Sequence, residues 1–255
     1  MRTTDEDIRQ AIPTSALRET PPPLVPEISL SAEQCVAVLA RALHRIGYAD
    51  HVSGHITSLQ PNGTLLATPW PFNWDEIAAS DILRIDLDGH VLEGKWRISP
   101  GIPLHLALHR ARPNVKVSVH NHTLHSQIWV AARKAPPILD QTSALTNAKV
   151  VVVDEFDGSV GDYSTAERTI QKVGDGEIAL LGGHGMLLVA DDASQLFRNA
   201  HAFEWRSRIA WQAASLGGGV PLPAEAADSL GSFPFPGFWE GAVRREVRLD
   251  PTVLD

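Results

Sequence analysis

The sequence predicts an α/β domain with sheet and helices in layers, an α/β/α sandwich in its simplest form. Three observations predict it. Helix-period and strand-period apolar patterns alternate along the chain from residue 31 to residue 215, as layered α/β cores require. The composition is 44% apolar and 20% charged, so a packed core is affordable and wholesale disorder is excluded. The 255 residues show no internal repeat and suit one large domain with extended ends.

The elements follow in order. Residues 1–30 carry Pro13, Pro21, Pro22, Pro23 and Pro26, a density that fixes φ and removes backbone donors, so this stretch reads as an extended arm. Ser31 is an N-cap and Gln34 completes a capping box. Val36, Leu39, Ala40, Leu43 and Ile46 then recur at helical spacing until Gly47. Residues 64–68 and 82–87 read as strands, the second leading to a turn at Asp88-Gly89. Residues 104–112 form a short helix stopped before Pro113. Val115, Val117 and Val119 alternate as a half-buried strand that delivers the chain to His120. Residues 123–133 are helical, 150–153 a buried strand, and 165–173 a further helix. Strands at 178–181 and 186–189 flank a glycine turn, and 194–215 is a long amphipathic helix with Leu196, Phe203, Ile209 and Trp211 among its apolar positions. From Gly217 the chain is again rich in glycine and proline. There it also holds Phe233, Phe235, Phe238 and Trp239, which predict docking on the domain or on a neighbouring subunit. The expected division is therefore an arm over 1–30, a domain over 31–216 and a docking tail over 217–255.

Charge and composition exclude several functions. Twenty-two basic against 30 acidic residues give a net charge of −8 and no clustered basic face, so nucleic acid is not an expected partner. The one cysteine, Cys35, lies among apolar residues and reads as a small buried hydrophobe. The N-terminal residues are acidic without an apolar core, so no signal peptide is expected. The longest apolar stretch, 178–190, is interrupted by Gly182-Gly183-His184-Gly185 and is shorter than the ~20 residues that span a bilayer. The expectation is a soluble, cytoplasmic protein with no membrane partner.

Eleven histidines are present, and their placement is informative. His120 and His122 stand directly after the 115–119 strand, where residues i and i+2 face the same way, so both imidazoles can address one ion. Two hydrogen-bonded histidines without a metal would give the same pattern. A third candidate, His184, sits in a glycine-rich turn between apolar strands, where a polar ring needs a partner, a metal or a backbone carbonyl.

These residues also carry a resemblance. The run 100–115 (Pro-Gly-Ile-Pro-Leu-His-Leu-Ala-Leu-His-Arg-Ala-Arg-Pro-Asn-Val), the segments 119–123 (Val-His-Asn-His-Thr) and 52–57 (Val-Ser-Gly-His-Ile-Thr), Thr68-Pro69, and 181–185 (Leu-Gly-Gly-His-Gly) together resemble the class II aldolase/adducin head domain, in that family's order, over about residues 32–215. The resemblance implies a central, largely antiparallel sheet between helix layers. It implies a divalent metal, usually zinc with manganese as the alternative, on His120, His122 and His184. It also implies a small-molecule substrate and a homotetramer with active sites near subunit boundaries.

Two departures from the family pattern shape the functional expectation. Sugar-phosphate aldolases of the family have Ser-Ser-Glu where this chain has Ser99-Pro100-Gly101, so the acid/base glutamate is replaced by glycine. Their phosphate-cradling Gly-Asn-x-Ser is here Gly54-His55-Ile56-Thr57. The pattern is similar to the adducin-like and bacterial branch without that glutamate. Candidate proton-transfer residues are then His105, His55 and Asp154, and candidate substrate contacts are Ser53, Gly54, His55, Thr57, Gly101 and Gln141.

Of His105 and His109, four apart on one helix face, the first is read as the inner residue and the second as a surface one. His125 is read as near the site or merely on the next helix. Glu204, with Arg206 and Arg208, is read as a solvated or subunit-facing charge set. Asp154, Glu155 and Asp157 are read as a polar loop. The aromatic loop Trp70, Phe72 and Trp74 is read as packing at a subunit contact ahead of stacking on a ligand. Two functions from different classes follow. One is a metal-dependent lyase cleaving or decarboxylating a hydroxy-keto or carboxylate-bearing substrate, with an isomerase or dehydratase as its relative. The other is a non-catalytic binding or assembly module of the adducin kind.

Overall fold

Among the described residues, eight short strands pair into one sheet. In the computed structural model, residues 28–154, 161–233 and 235–255 are described. The strands are β1 (His55–Leu59), β2 (Leu65–Ala67), β3 (Leu83–Ile85), β4 (Val91–Glu93), β5 (Val117–Asn121), β6 (Val150–Val153), β7 (Ile178–Leu181) and β8 (Gly185–Ala190). Their spatial order is β4-β3-β2-β1-β5-β8-β7-β6, and every neighbouring pair is antiparallel except β6 with β7. The sheet is therefore mostly antiparallel, as the family resemblance implies.

Helices cover both faces. On one lie α1 (Ala32–Arg45), α3 (Leu124–Ala132), α5 (Ala193–Ala214) and α7 (Phe238–Leu249), whose Leu39, Val130, Phe203 and Val243 share a core with Ile56, Val119 and Leu188 of the sheet. On the other lie α2 (Pro103–Ala111) and α4 (Tyr163–Val173), whose Leu104, Leu108 and Ile170 pack on Leu181, Leu187 and Val189. Burying each such side chain contributes about 1.5–3 kcal/mol, which is why period-2 strands and period-3.6 helices settle into three layers. Ser31 caps α1 with the reciprocal bonds of a capping box to Gln34.

Several expectations change. Strand β4 was not legible: all three of its residues are exposed, so it carries no apolar alternation. Residues 150–153 do form a strand, but β6 is a sheet edge with Val152 36% exposed, so it is half-buried rather than buried. Trp74, expected at a subunit contact, is buried in its own chain's core, and its Nε1 donates to the Gly54 carbonyl at 3.3 Å.

The stretch after Gly217 contains a further helix, α6 (Ala224–Gly231), and then α7. Helix α7 lies on α1, where Arg45 holds the buried Glu246 at 2.7 Å; just beyond its end, Asp250 takes Arg41 at 2.6 Å. Phe238 and Trp239 pack against the same core. Of the proline-rich 1–30 stretch, only residues 28–30 are described, and Ile28 and Leu30 touch that core. Glu155 and Asp157 lie outside the described residues. Among the described residues no helix is long and apolar enough to cross a membrane.

Candidate metal centre

Strand register assembles the histidines. β1 and β5 pair so that His55 stands opposite His120 and Thr57 opposite Ser118, which puts all four side chains on the face toward α2. His122 follows β5 by one residue. Leu181 of β7 pairs with Gly185 of β8, leaving Gly182, Gly183 and His184 as the hairpin loop between them, with Gly183 at φ +74°. A Cβ on Gly185 would stand 2.2 Å from His122 Cδ2, so glycine there is what lets the His122 ring lie against β8.

The rings of His120, His122 and His184 converge, with centroid separations of 4.6, 4.8 and 5.3 Å. One ligand nitrogen from each lies within 4.8 Å of the other two. Nitrogens bound at ~2.1 Å to one tetrahedral zinc ion stand ~3.4 Å apart, a spacing inside that bound. The donor chemistry fits as well. His120 Nδ1 meets the Met186 carbonyl at 2.9 Å, and His122 Nδ1 makes a short contact with the Asp50 carboxylate. Both partners accept, so each Nδ1 carries the hydrogen and each Nε2 is left with a lone pair. Burial pushes His120 well below the usual imidazole range, and burial beside His122 lowers His184 to about 4. Neutral rings are the ligand form.

Around this trio the sequence candidates divide. His55 is the first residue of β1, is buried, stacks on His120 with centroids 4.9 Å apart and is lowered to about 3 by burial and then by His122 and His184. Its Nδ1 meets His105 Nε2 at 2.7 Å. A Cβ built on Gly101 would stand 2.3 Å from His55 Nε2, so the imidazole fills the space that a side chain at 101 would enter. His105 is fully buried and, again through burial, well below its usual value.

His109, expected at the surface, is buried too, because the polar Thr57 and Ser118 face it from the sheet; Thr57 Oγ1 lies 2.9 Å from its Nε2. The Thr57 hydroxyl, expected to contact substrate, is thus turned into the interior. Gly54 is buried under Trp74, while Ser53 and Gln141 are exposed on turns. Asp154 is largely exposed and paired with Arg133 at 2.9 Å; it does not join the histidines.

Glu204 is a correction. It is buried, 7% exposed, not part of a solvated charge set, because the N-terminus of α3 supplies its partners. Thr123 Oγ1 donates at 2.5 Å, Ser126 Oγ at 2.8 Å, and the His125 and Ser126 amides at 3.2 and 3.3 Å; His125 Nδ1 lies 2.7 Å away. A carboxylate from α5 therefore caps α3 and fixes the segment that follows His122. Asp50, Met186, Ser118 and Glu204 were all missed from sequence. Only Ser118 had a signal, standing two residues before His120 on the same strand face. A cavity of about 670 Å³ opens beside the Asp50–His122 pair, with His125, Glu204, Arg45 and Arg208 in its walls.

The model of the class II aldolase and adducin N-terminal domain matches residues 34–211. A 4-hydroxy-3-prenylphenylpyruvate oxygenase/4-hydroxy-3-prenylbenzoate synthase of Streptomyces roseochromogenus subsp. oscitans is 28% identical over 201 residues, 76% of this chain and 72% of that protein. An L-ribulose-5-phosphate 4-epimerase (UlaF) of Salmonella typhi is 26% identical over 190 residues, 70% of this chain and 83% of its own. Among solved structures, an aldolase II superfamily protein from Pseudomonas syringae superposes with a TM-score of 0.75 at 23% identity, over 95% of this chain and all of that one. An L-fuculose 1-phosphate aldolase superposes at 0.68 and 22% identity, over 80% of this chain and 96% of its own.

Proposed function

The chain belongs to the class II aldolase and adducin N-terminal domain family, and on that premise we propose that it is a metal-dependent carbon–carbon lyase, of aldolase or decarboxylase type, acting on a small hydroxy-keto or carboxylate-bearing substrate. The observation that carries the reading is the converging trio of the buried His120 with the half-buried His122 and His184, two of its rings oriented from behind by Met186 and Asp50. Zinc is the proposed ion, with manganese as the alternative. When bound, the ion supplies Lewis-acid polarisation of a substrate carbonyl, and three protein ligands leave positions for substrate.

The chain's own residues divide the remaining work. His55 is the proton-handling group, because its neutral ring occupies the space in front of Gly101 and His105 holds it from behind. Asp154 is given no role, since its carboxylate is exposed and paired with Arg133.

The substrate class follows from the segment at which the family's sugar-phosphate enzymes hold phosphate. Here its Thr57 hydroxyl is consumed by His105, His109 and Ser118, and Gly54 is covered by Trp74. Of the segment's hydroxyls that leaves Ser53 alone exposed, which supports a carboxylate over a phosphate. The Streptomyces relative is likewise named for a phenylpyruvate, a 2-oxo acid. Assembly is proposed as a homo-oligomer, most simply a tetramer. Leu124 (74% exposed), Trp205 (40%) and Trp211 (46%) form the apolar face that a second copy would cover.

The test is a panel of hydroxylated 2-oxo acids and of fuculose-, rhamnulose- and ribulose-type phosphates, offered to the zinc-loaded protein. Turnover within the oxo-acid set, lost in His120→Ala, is expected; robust cleavage of a sugar phosphate would overturn the substrate reading. The glycine at 101 favours one second reading, a metal-holding binding module, which predicts full metal retention with no turnover on any member of the panel.

A further inference from the structure

The three candidate ligands are not held alike. His120 Nδ1 is fixed by the Met186 carbonyl and His122 Nδ1 by the Asp50 carboxylate. Among the described residues neither ring nitrogen of His184 has such a partner, and its ring meets those of His120 and His122. An imidazole without an orienting bond is placed by its backbone, so whatever holds the 182–184 loop sets the third ligand.

That loop is held by α3. Gln127, four residues into the helix, donates from Nε2 to the His184 carbonyl at 2.8 Å. Arg133, the C-cap of α3, lays its side chain across Gly182. A Cβ built on Gly182 would stand 2.7 Å from Arg133 Nε and 2.8 Å from its Cδ and Cζ, so a side chain at 182 would displace the guanidinium. Arg133 Nη1 also donates to the Val130 carbonyl at 3.1 Å, and its Nε pairs with Asp154 at 2.9 Å. The Asp154 carboxylate is exposed and such a pair contributes little, so the close packing on Gly182 is the specific contact. The loop's own amides complete the corner: Gly182 N–H donates to the Val153 carbonyl at 2.7 Å and His184 N–H to the Leu181 carbonyl at 2.9 Å.

Two further observations single out α3. Arg133 has φ +54° and ψ +40°, the left-handed region in which glycine or asparagine is the usual C-cap. Arginine gains nothing there from its backbone, and what it adds to the position is the side chain over Gly182. At its other end the helix starts beside the second ligand. Thr123, its N-cap residue, follows His122 directly, and Glu204 takes the Thr123 hydroxyl at 2.5 Å and the Ser126 amide at 3.3 Å. One nine-residue helix thus joins two ligands that lie far apart in sequence.

We infer that α3 is a clamp that sets the spacing of His122 and His184, with Gln127 and Arg133 as its positioning residues: Gln127 fixes the His184 carbonyl, and Arg133 seats the loop through Gly182. The inference rests on the reading of the three histidines as metal ligands. It makes the third ligand preorganised by helix contacts in place of a hydrogen bond to its ring, so the loop is ordered before any ion arrives.

The test is amide hydrogen exchange by NMR on the metal-free full chain, with zinc affinity by chelator competition on the same samples. Wild type is compared with Gln127→Met, which keeps the length of the side chain without its donor, and with Arg133→Asn, which suits the left-handed cap without the guanidinium. In metal-free wild type the Gly182 and His184 amides are expected to be protected like those of the β7–β8 ladder. In each variant these two amides should exchange about tenfold faster while the ladder and α3 amides keep their wild-type rates. Zinc should bind about tenfold more weakly. A merely structural loss would speed all the amides together. A wild-type loop that exchanges freely, or variants with wild-type loop exchange or wild-type zinc affinity, overturns the clamp. The wild-type profile decides the matter even if a variant does not fold. A protected loop in a wild type that takes up no zinc refutes the proposed function and not the clamp. A freely exchanging loop in a wild type that does take up zinc refutes the clamp and not the function.

Discussion

Gly101 and His55 share one volume, and a thermodynamic cycle measures it. A methyl group at 101 would lie 2.3 Å from His55 Nε2, 3.0 Å from Cε1 and 3.3 Å from Cδ2. The ring has little room to yield, since Nδ1 is tied to His105 at 2.7 Å and its face stacks on His120. Gly101→Ala is therefore an overpacking substitution, costing about 1–3 kcal/mol. At roughly 2–4 °C per kcal/mol for a chain of this size, a 2 kcal/mol loss lowers Tm by about 4–8 °C. His55→Ala removes the ring and orphans His105 Nε2, costing about 2–4 kcal/mol. In the double variant the methyl enters vacated space, so the combined loss falls short of the sum by about 1–3 kcal/mol. Denaturant midpoints on the four metal-free proteins give this coupling. Additivity within about 0.5 kcal/mol would refute the shared-volume argument. The same geometry bears on restoring the family's carboxylate: Gly101→Glu alone pushes His55 against His120, and it is accommodated only with His55→Ala alongside.

Three further outcomes follow. Burial lowers His55 to about 3 and His109 to about 4 from 6.5, so their stabilising effect is complete above pH 6.5 and declines as pH falls toward those values. At pH 5 the unfolded chain holds protons that these two rings refuse, a loss of about 2 kcal/mol each; thermal melts between pH 7.5 and 5 should fall by about 10 °C, and a flat profile would contradict the burial. Glu204→Ala leaves the Thr123, Ser126 and His125 donors buried without an acceptor, and a loss of about 3 kcal/mol in urea titration is expected; a change under 0.5 kcal/mol would return Glu204 to the solvated surface. Asp50→Asn removes the carboxylate behind His122, so zinc affinity by competition with a chromophoric chelator should weaken about 10–100-fold with the fold intact, and an unchanged affinity would make the contact incidental.

Most of the layered fold was legible because the core strands carry their own apolar period, with the exception of β1, which was not read as a strand because His55 and Thr57 stand on one of its faces. The histidine trio was legible because His120 and His122 sit two apart at a strand end and His184 sits in a glycine turn. What escaped was polar chemistry made between elements far apart in sequence. Glu204 reads as a surface charge on a long helix until the amides of α3, nearly eighty residues earlier, are placed against it. His109 reads as the outer member of a helical pair until the register of β1 and β5 sets Thr57 and Ser118 beneath it. Helix α7 was masked by the prolines and glycines before it, although Phe238, Ala242, Val243 and Val247 recur at helical spacing. Trp74 was assigned to a subunit contact because neighbouring prolines suggested a surface loop, whereas its indole fills the core over Gly54.

The central claim is that His120, His122 and His184 hold one divalent ion. Its most direct test is elemental analysis of protein reloaded with zinc and desalted. One zinc per chain is predicted for the wild type, with none in His122→Ala at unchanged circular dichroism. Wild-type protein that emerges metal-free, or His120, His122 and His184 alanine variants that each keep a full equivalent, would contradict the account.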